Sequence, residues 1–222
     1  MRMRLKKHLE ERIADCSDIL IAREGYEFYK LTEEQKQMQL DLPSIFGNDN
    51  PLYLELGCGK GSFAIKSAKL HPERNYLALE KLSNVIVVGC EDASKEQLPN
   101  LRFMNCHAEN LRCYLADKSV TEIILNFSCP FPKKTYANRR MTSKNYLEVY
   151  KHLLADDGII RQKTDDLTFF EWSMESYKEH GYEVFDVTYD LPEGGDNVMT
   201  EYEEKFRTMG KKIYACKARL IK

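Results

Sequence analysis

The stretch Leu52-Tyr53-Leu54-Glu55-Leu56-Gly57-Cys58-Gly59-Lys60-Gly61 decides the fold. LYLEL (52–56) reads as a strand, and GSFAIKSAKL (61–70) reads as a helix. Gly57, Gly59 and Gly61, at alternate positions between them, let the backbone turn sharply and let a ligand approach without meeting a Cβ. The helix that follows points its N-terminus at that ligand. The spacing is G-x-G-x-G, whereas a dinucleotide pyrophosphate is bound by G-x-G-x-x-G.

NYLALE (75–80) supplies a second strand ending on Glu80, about 20 residues on, where such folds place an acid for ribose hydroxyls. A glycine triplet alone is equally a tight turn, and Glu55 alone is equally a surface strand end. In the order strand, glycines, helix, strand and terminal acid, they predict a nucleoside-type cofactor. A carboxylate at Glu55 suits a cationic amino-acid tail and would repel a pyrophosphate. That points to S-adenosylmethionine rather than a nicotinamide dinucleotide.

The same rhythm continues along the chain. Helices are expected over 82–97, near 109–116, over 144–154 and over 166–180, the last stopped by Gly181. Further strands are expected at LRFMNC (101–106), TEIILNF (121–127), GIIRQKT (158–164), YEVFDVTY (182–189) and KKIYACKARL (211–220). Strands alternating with helices predict an α/β fold with a doubly wound, mainly parallel seven-stranded sheet, Rossmann-like. The expected organisation is a single domain over 1–222. Within it, 1–50 is a basic arm and helical extension, carrying Arg2, Arg4, Lys6, Lys7 and Arg12.

Hydrophobic residues make up 43% and charged residues 31% of the 222, which argues against wholesale disorder. The net charge of −2 does not advertise nucleic acid, but binding depends on a local basic patch rather than on the sum. The seven cysteines form no C-x-x-C pair and the five histidines are scattered, so neither a disulfide scaffold nor a metal site is expected. Reduced thiols, no apolar run near the ~20 residues of a membrane span and no signal-peptide core predict a cytoplasmic protein.

After TEIILNF comes Ser128-Cys129-Pro130-Phe131-Pro132-Lys133-Lys134, then Thr135-Tyr136-Ala137-Asn138-Arg139-Arg140. This lies beyond the C-terminal end of a strand near the sheet's middle, where open α/β sheets bind ligands. Two prolines stiffen the loop. Lys133, Lys134, Arg139 and Arg140, with Tyr136 among them, are suited to hold phosphates and stack on a base. The bland alternative is a solvated charged face. Lys163-Thr164-Asp165 ends another strand at the same edge, and Thr200-Glu201-Tyr202-Glu203 reads as a helix start, with Thr200 as N-cap and Glu203 as the capping-box acid.

Taken together, MRMR at the start, FGNDNP, LELGCGKGSF, NYLALE, NFSCPFPKK with the following RR, KTDD and MTEYEEKF resemble the bacterial tRNA (guanine-N7-)-methyltransferases. The match runs in order from Met1 to about Tyr214, with 22–44 as a local insertion. The resemblance implies that Glu55 holds S-adenosyl-L-methionine near its methionine moiety and Glu80 near its ribose. It implies that Lys133, Asp165, Thr200, Glu201, Tyr202 and Glu203 meet the substrate guanine or its nucleotide, and that the substrate is the variable-loop guanine of tRNA. Two cofactor positions depart from the family pattern: His107 and Cys129 stand where aspartates are usual, and Phe131 replaces a tryptophan. Glu109 lies close enough in sequence to substitute for the first, and the catalytic role usually given to the second aspartate falls here on Cys129.

The chemistry so implied is methyl transfer from a sulfonium to a nitrogen lone pair, which needs positioning more than a general base. Rival readings are a catalytically weakened or inactive tRNA-binding homologue, motivated by Cys129 and His107, and a methyltransferase of small molecules, which the basic loop opposes. A dehydrogenase is disfavoured by the glycine spacing. The chain is expected to act as a monomer or homodimer on tRNA, away from membranes.

Overall fold

The computed structural model describes residues 6–25, 27–195 and 197–222, so Arg2 and Arg4 of the expected basic arm lie outside the described residues. The strands are β1 (Leu20–Arg23), β2 (Leu52–Leu56), β3 (Asn75–Leu79), β4 (Leu101–Asn105), β5 (Val120–Asn126), β6 (Leu154–Thr164), β7 (Tyr182–Thr188) and β8 (Tyr214–Leu220). The helices are α1 (Leu9–Ala14), α2 (Glu33–Lys36), α3 (Leu42–Phe46), α4 (Ser62–Leu70), α5 (Ser83–Glu96), α6 (Lys144–Leu153), α7 (Leu167–Glu179) and α8 (Glu201–Thr208).

Among the described residues, eight strands join one sheet in the order β1-β4-β3-β2-β5-β6-β8-β7. The first six positions in that order are parallel, and β8 runs antiparallel between β6 and β7. The winding leaves β2 outward through β3 to β4, then returns to place β5 on β2's other side. The C-terminal ends of β2 and β5 therefore flank a topological switch point, where such sheets open a crevice for ligands.

Helices cover both faces. On one, Ala64 and Ala68 of α4 and Ile86, Cys90 and Ala93 of α5 pack on Tyr76, Ala78, Leu101 and Phe103. On the other, Leu147, Tyr150 and Leu153 of α6 and Phe170 and Tyr177 of α7 pack on Leu54, Leu77, Ile123 and Ile160. Burial on both faces explains why these strands are near-continuous apolar runs.

The sheet has eight strands where seven were expected. The addition is β1, inside the segment expected to be a basic arm and helical extension; it pairs parallel with β4 through Leu20↔Phe103, Ala22↔Met104 and Arg23↔Asn105. The preceding α1 anchors it: Leu9 and Ile13 pack on Val87 of α5, and Arg12 grips Glu91 through two bonds of 2.5 and 2.6 Å. β6 starts at Leu154, directly after α6, rather than at 158. β8 starts at Tyr214 rather than at 211, because Gly210 (φ 72°) turns the chain before it.

Candidate active site

The glycine loop leaves β2 at the switch point, with Gly57, Gly59 and Gly61 all at positive φ (75°, 59° and 72°). A Cβ on Gly57 or Gly59 would meet nothing within 4 Å, so both face open space as a ligand cradle requires. Gly61 is different: a Cβ there would lie 2.7 Å from the Phe103 ring. Its missing side chain is required for packing of the loop against β4.

Glu55, the fourth residue of β2, is 3% exposed. Its Oε1 accepts a 2.9 Å hydrogen bond from Nδ2 of Asn126, the last residue of β5. Glu55 Oε2 and Asn126 Oδ1 are buried and have no hydrogen-bond partner among the described residues. Two stranded acceptors side by side carry a desolvation cost that an incoming cationic donor would relieve. Burial pushes the Glu55 carboxyl up to about 7, against the opposing pull of the Asn126 amide, the Lys163 charge and the Ala64 backbone N–H. The chemistry of these acceptors fits the ammonium of an amino-acid tail.

Glu80 follows β3, with Oε1 accepting from the Leu82 N–H at 2.9 Å. It adjoins an open cleft of about 530 Å³ lined by Lys81, Ser83, Asn105 and His107, and by Arg23, Glu24 and Tyr29 from the N-terminal segment. The His107 N–H donates to Glu24 Oε2 (3.1 Å), Asn110 Nδ2 donates to Glu24 Oε1 (2.8 Å), and the Tyr29 ring meets the His107 ring edge-on. A carboxylate does therefore stand beside position 107. It comes from Glu24, at the end of β1, and nothing local in the sequence pointed to it.

The loop after β5 is bent by two non-glycine residues at positive φ, Phe127 (51°) and Phe131 (40°). Such conformations cost of order 1–3 kcal/mol each and persist only where the surroundings impose them. The Phe127 N–H donates to the Lys163 carbonyl, and its ring packs against Tyr202 and Phe206 of α8. Arg140 imposes the second bend: its guanidinium donates to the Pro130 and Phe131 carbonyls at 2.9 and 3.1 Å and lies 4.4 Å over Trp172. Only 6% exposed, Arg140 clamps the loop from inside and does not belong to the phosphate surface expected from its sequence position. Cys129, Lys133, Lys134, Tyr136 and Arg139 are exposed, with the Arg139 guanidinium 4.6 Å over the Tyr136 ring.

Across the crevice, Asp165 pairs with Lys211 at 2.5 Å. Thr200 does cap α8, its Oγ1 accepting from the Glu203 N–H at 2.9 Å. The reciprocal half of the capping box is not made, because the Glu203 carboxylate turns inward and is 0% exposed. Its Oε2 accepts from Lys163 Nζ (2.8 Å), and its Oε1 accepts from Asn197 and Arg207 (2.7 and 2.8 Å). Of the four residues expected to meet substrate here, Glu201 and Tyr202 face solvent while Thr200 and Glu203 build the turn beneath them.

A Rossmann-like sheet, an open glycine cradle and an unsatisfied acidic end at the switch point define a methyltransferase fold. Solved structures share it: a 16S rRNA methyltransferase, KamB, aligns with a TM-score of 0.62 at 18% identity over 92% of this chain and 99% of that one. An antibiotic-related methyltransferase aligns at 0.61 and 16% identity, over 86% and 95%. A family described as putative methyltransferases matches residues 49–216. Among named relatives, a tRNA (guanine-N(7)-)-methyltransferase of Geobacillus kaustophilus is 43% identical over 78% of this chain and 81% of its own length. Those of Geobacillus sp. WCH70 and Bacillus cytotoxicus are 38% and 37% identical over 99% of this chain, covering 96% and 97% of theirs. The chain belongs to the tRNA (guanine-N7-)-methyltransferases.

Proposed function

We propose that this protein transfers a methyl group from S-adenosyl-L-methionine to N7 of the variable-loop guanine of tRNA, by direct in-line displacement. The observation that carries the cofactor reading is the pair of buried, unpartnered acceptors, Glu55 Oε2 and Asn126 Oδ1, beside open Gly57 and Gly59. The cofactor, when bound, supplies a methyl group already activated on a sulfonium. Glu55 and Asn126 would hold its ammonium, Glu80 its ribose, and the cleft beside His107 its base.

Guanine N7 carries a lone pair and no proton, so the N–C bond forms as the C–S bond breaks, and no general base is needed. The chain's own work is alignment and exclusion of water. Lys133, Lys134 and Arg139, all exposed, would supply phosphate contacts, and exposed Glu201 and Tyr202 would meet the base. Cys129, at the bend of the loop, leaves the growing purine charge without a carboxylate from that position.

That absence favours a second reading, a tRNA-binding homologue of weakened activity. Among the described residues, no helix is long and apolar enough to cross a membrane, which is compatible with the expected cytoplasmic setting. The test is incubation with labelled cofactor and unmodified tRNA transcript, followed by mapping of 7-methylguanine. Label at the variable-loop guanine is expected. Retention of tRNA without label would favour the binding homologue.

A further inference from the structure

Lys163 lies at the C-terminal end of β6, between the two ends of the crevice, and is 3% exposed. An ammonium has three N–H donors, and all three are used: Nζ donates to Glu203 Oε2 at 2.8 Å, Asn197 Oδ1 at 2.9 Å and the Val198 carbonyl at 3.0 Å. Asn197 and Val198 belong to the strap leading into α8, and Glu203 lies in that helix's first turn. One side chain of β6 thus holds the strap, the cap and the helix that present Glu201 and Tyr202. Its Nζ also lies 5.6 Å from the ring centroid of Phe63 on α4. In the β5–β6 register Lys163 is the partner of Asn126, whose amide holds Glu55 at 2.9 Å, so the Lys163 charge also reaches Glu55 on β2.

We propose that Lys163 is a positioning residue that ties the acid of the cofactor pocket, Glu55, to the Thr200–Glu203 turn of the base pocket, so that the charge state of each pocket is felt in the other. This rests on the cofactor reading given above. The sequence places Lys163 at the ligand edge within KTDD, but neither the residues nor the resemblance gives it a role.

Asn126 of β5, Lys163 of β6 and the Ala64 backbone N–H of α4 face Glu55, and the Cys58 thiol of the glycine loop feels both Glu55 and Glu80. Glu203 of α8, Glu55 of β2 and Arg161 of β6 act on Lys163. Lys163 and Arg207, with Asn197, hold Glu203. Burial pushes Lys163 down and would raise Glu203, but the donors around Glu203 outweigh burial and hold its carboxyl below the usual range. The donors around Glu203 therefore favour its charged form. Near it, Glu55 titrates around neutrality and is the group whose charge the neighbours can tip.

The sign of each perturbation follows. Removing the Lys163 charge disfavours ionised Glu55, so the pH at which a cationic ligand gains affinity moves up. Removing the Glu203 charge leaves Lys163 less neutralised and moves that pH down. The experiment is titration calorimetry of S-adenosylhomocysteine binding to the full chain, across about pH 6 to 9. Lys163→Met is expected to raise the midpoint by about one unit, and Glu203→Gln to lower it measurably. Lys163→Arg, which keeps the charge, is expected to restore the unaltered chain's midpoint. A purely structural role would weaken binding at every pH without moving the midpoint. If Lys163→Met does not fold, Glu203→Gln decides alone, because its volume is nearly unchanged. Folded variants with the unaltered chain's midpoint would overturn the inference and leave the cofactor reading standing. No binding by the unaltered chain at any pH would overturn that reading, and the inference with it.

Discussion

Asn126 Nδ2 donates to Glu55 Oε1 across 2.9 Å, joining the ends of two strands 71 residues apart and leaving the outer acceptor of each side chain buried and unsatisfied. This pair sets the first prediction. The Glu55 carboxyl is raised from its ordinary value to about 7, so the folded chain binds a proton there that the unfolded chain has released. Its contribution to stability is present at acidic pH and is lost as pH climbs from about 4.5 to about 7, on the order of 3 kcal/mol. Cofactor affinity should run the opposite way, rising with pH through about 7 as the ionised form appears. Glu55→Gln should raise the Tm of the ligand-free protein at about pH 8 while abolishing S-adenosylhomocysteine binding. Thermal melts with and without ligand check both; a lower ligand-free Tm would contradict the strained-acid account.

Gly59→Arg should remove cofactor binding and leave a folded protein. The side chain would enter the open space above the loop, and the φ of 59° adds a local cost of about 1–2 kcal/mol, too little to unfold the domain. Calorimetry on a variant with an intact melting transition measures it, and unchanged affinity would move the cofactor elsewhere.

The two neighbouring arginines should separate cleanly. Arg139→Ala removes an exposed charge and should lower the log–log salt slope of tRNA binding by about 0.9 in duplex regions, with little change in Tm. Arg140→Ala frees the Pro130 and Phe131 carbonyls and should cost about 1–3 kcal/mol of stability with the slope unchanged. Filter binding over a salt series, paired with denaturant melts, distinguishes them.

Cys129 is exposed at the bend and no thiol chemistry is required of it, so Cys129→Ser should keep most activity. Cys129→Asp should place a carboxylate near the developing purine cation and speed the single-turnover rate roughly tenfold, equivalent to about 1.4 kcal/mol. Complete loss of rate in Cys129→Ser, with both ligands still bound, would make the thiol essential.

The parts of this site legible in the sequence are those written locally. β2, its glycine loop and α4 are continuous in the chain, and the acid at the end of β3 follows at a fixed distance. β1 is not legible because four residues at a sheet edge carry too little periodicity to register. Asn126, Lys163 and Glu24 acquire meaning only when strands distant in sequence are laid side by side. Arg140 and Glu203 were recognised by chemical type and by motif, but their direction was not: each turned out to satisfy buried partners that no spacing rule specifies.

The two outermost strands share a property with a consequence for self-association. β1 is four residues long with its register broken between Leu20 and Ala22, and β7 is broken between Phe185 and Thr188, with Asp186 at φ 49°. Neither rim offers a straight ladder of free amides and carbonyls for another chain to copy. The hydrophobic strand β4, whose Phe103 and Met104 are fully buried, would be a rim itself were β1 not laid along it. The N-terminal segment therefore acts as a selvedge, finishing the sheet so that it does not grow by edge-on stacking into aggregates.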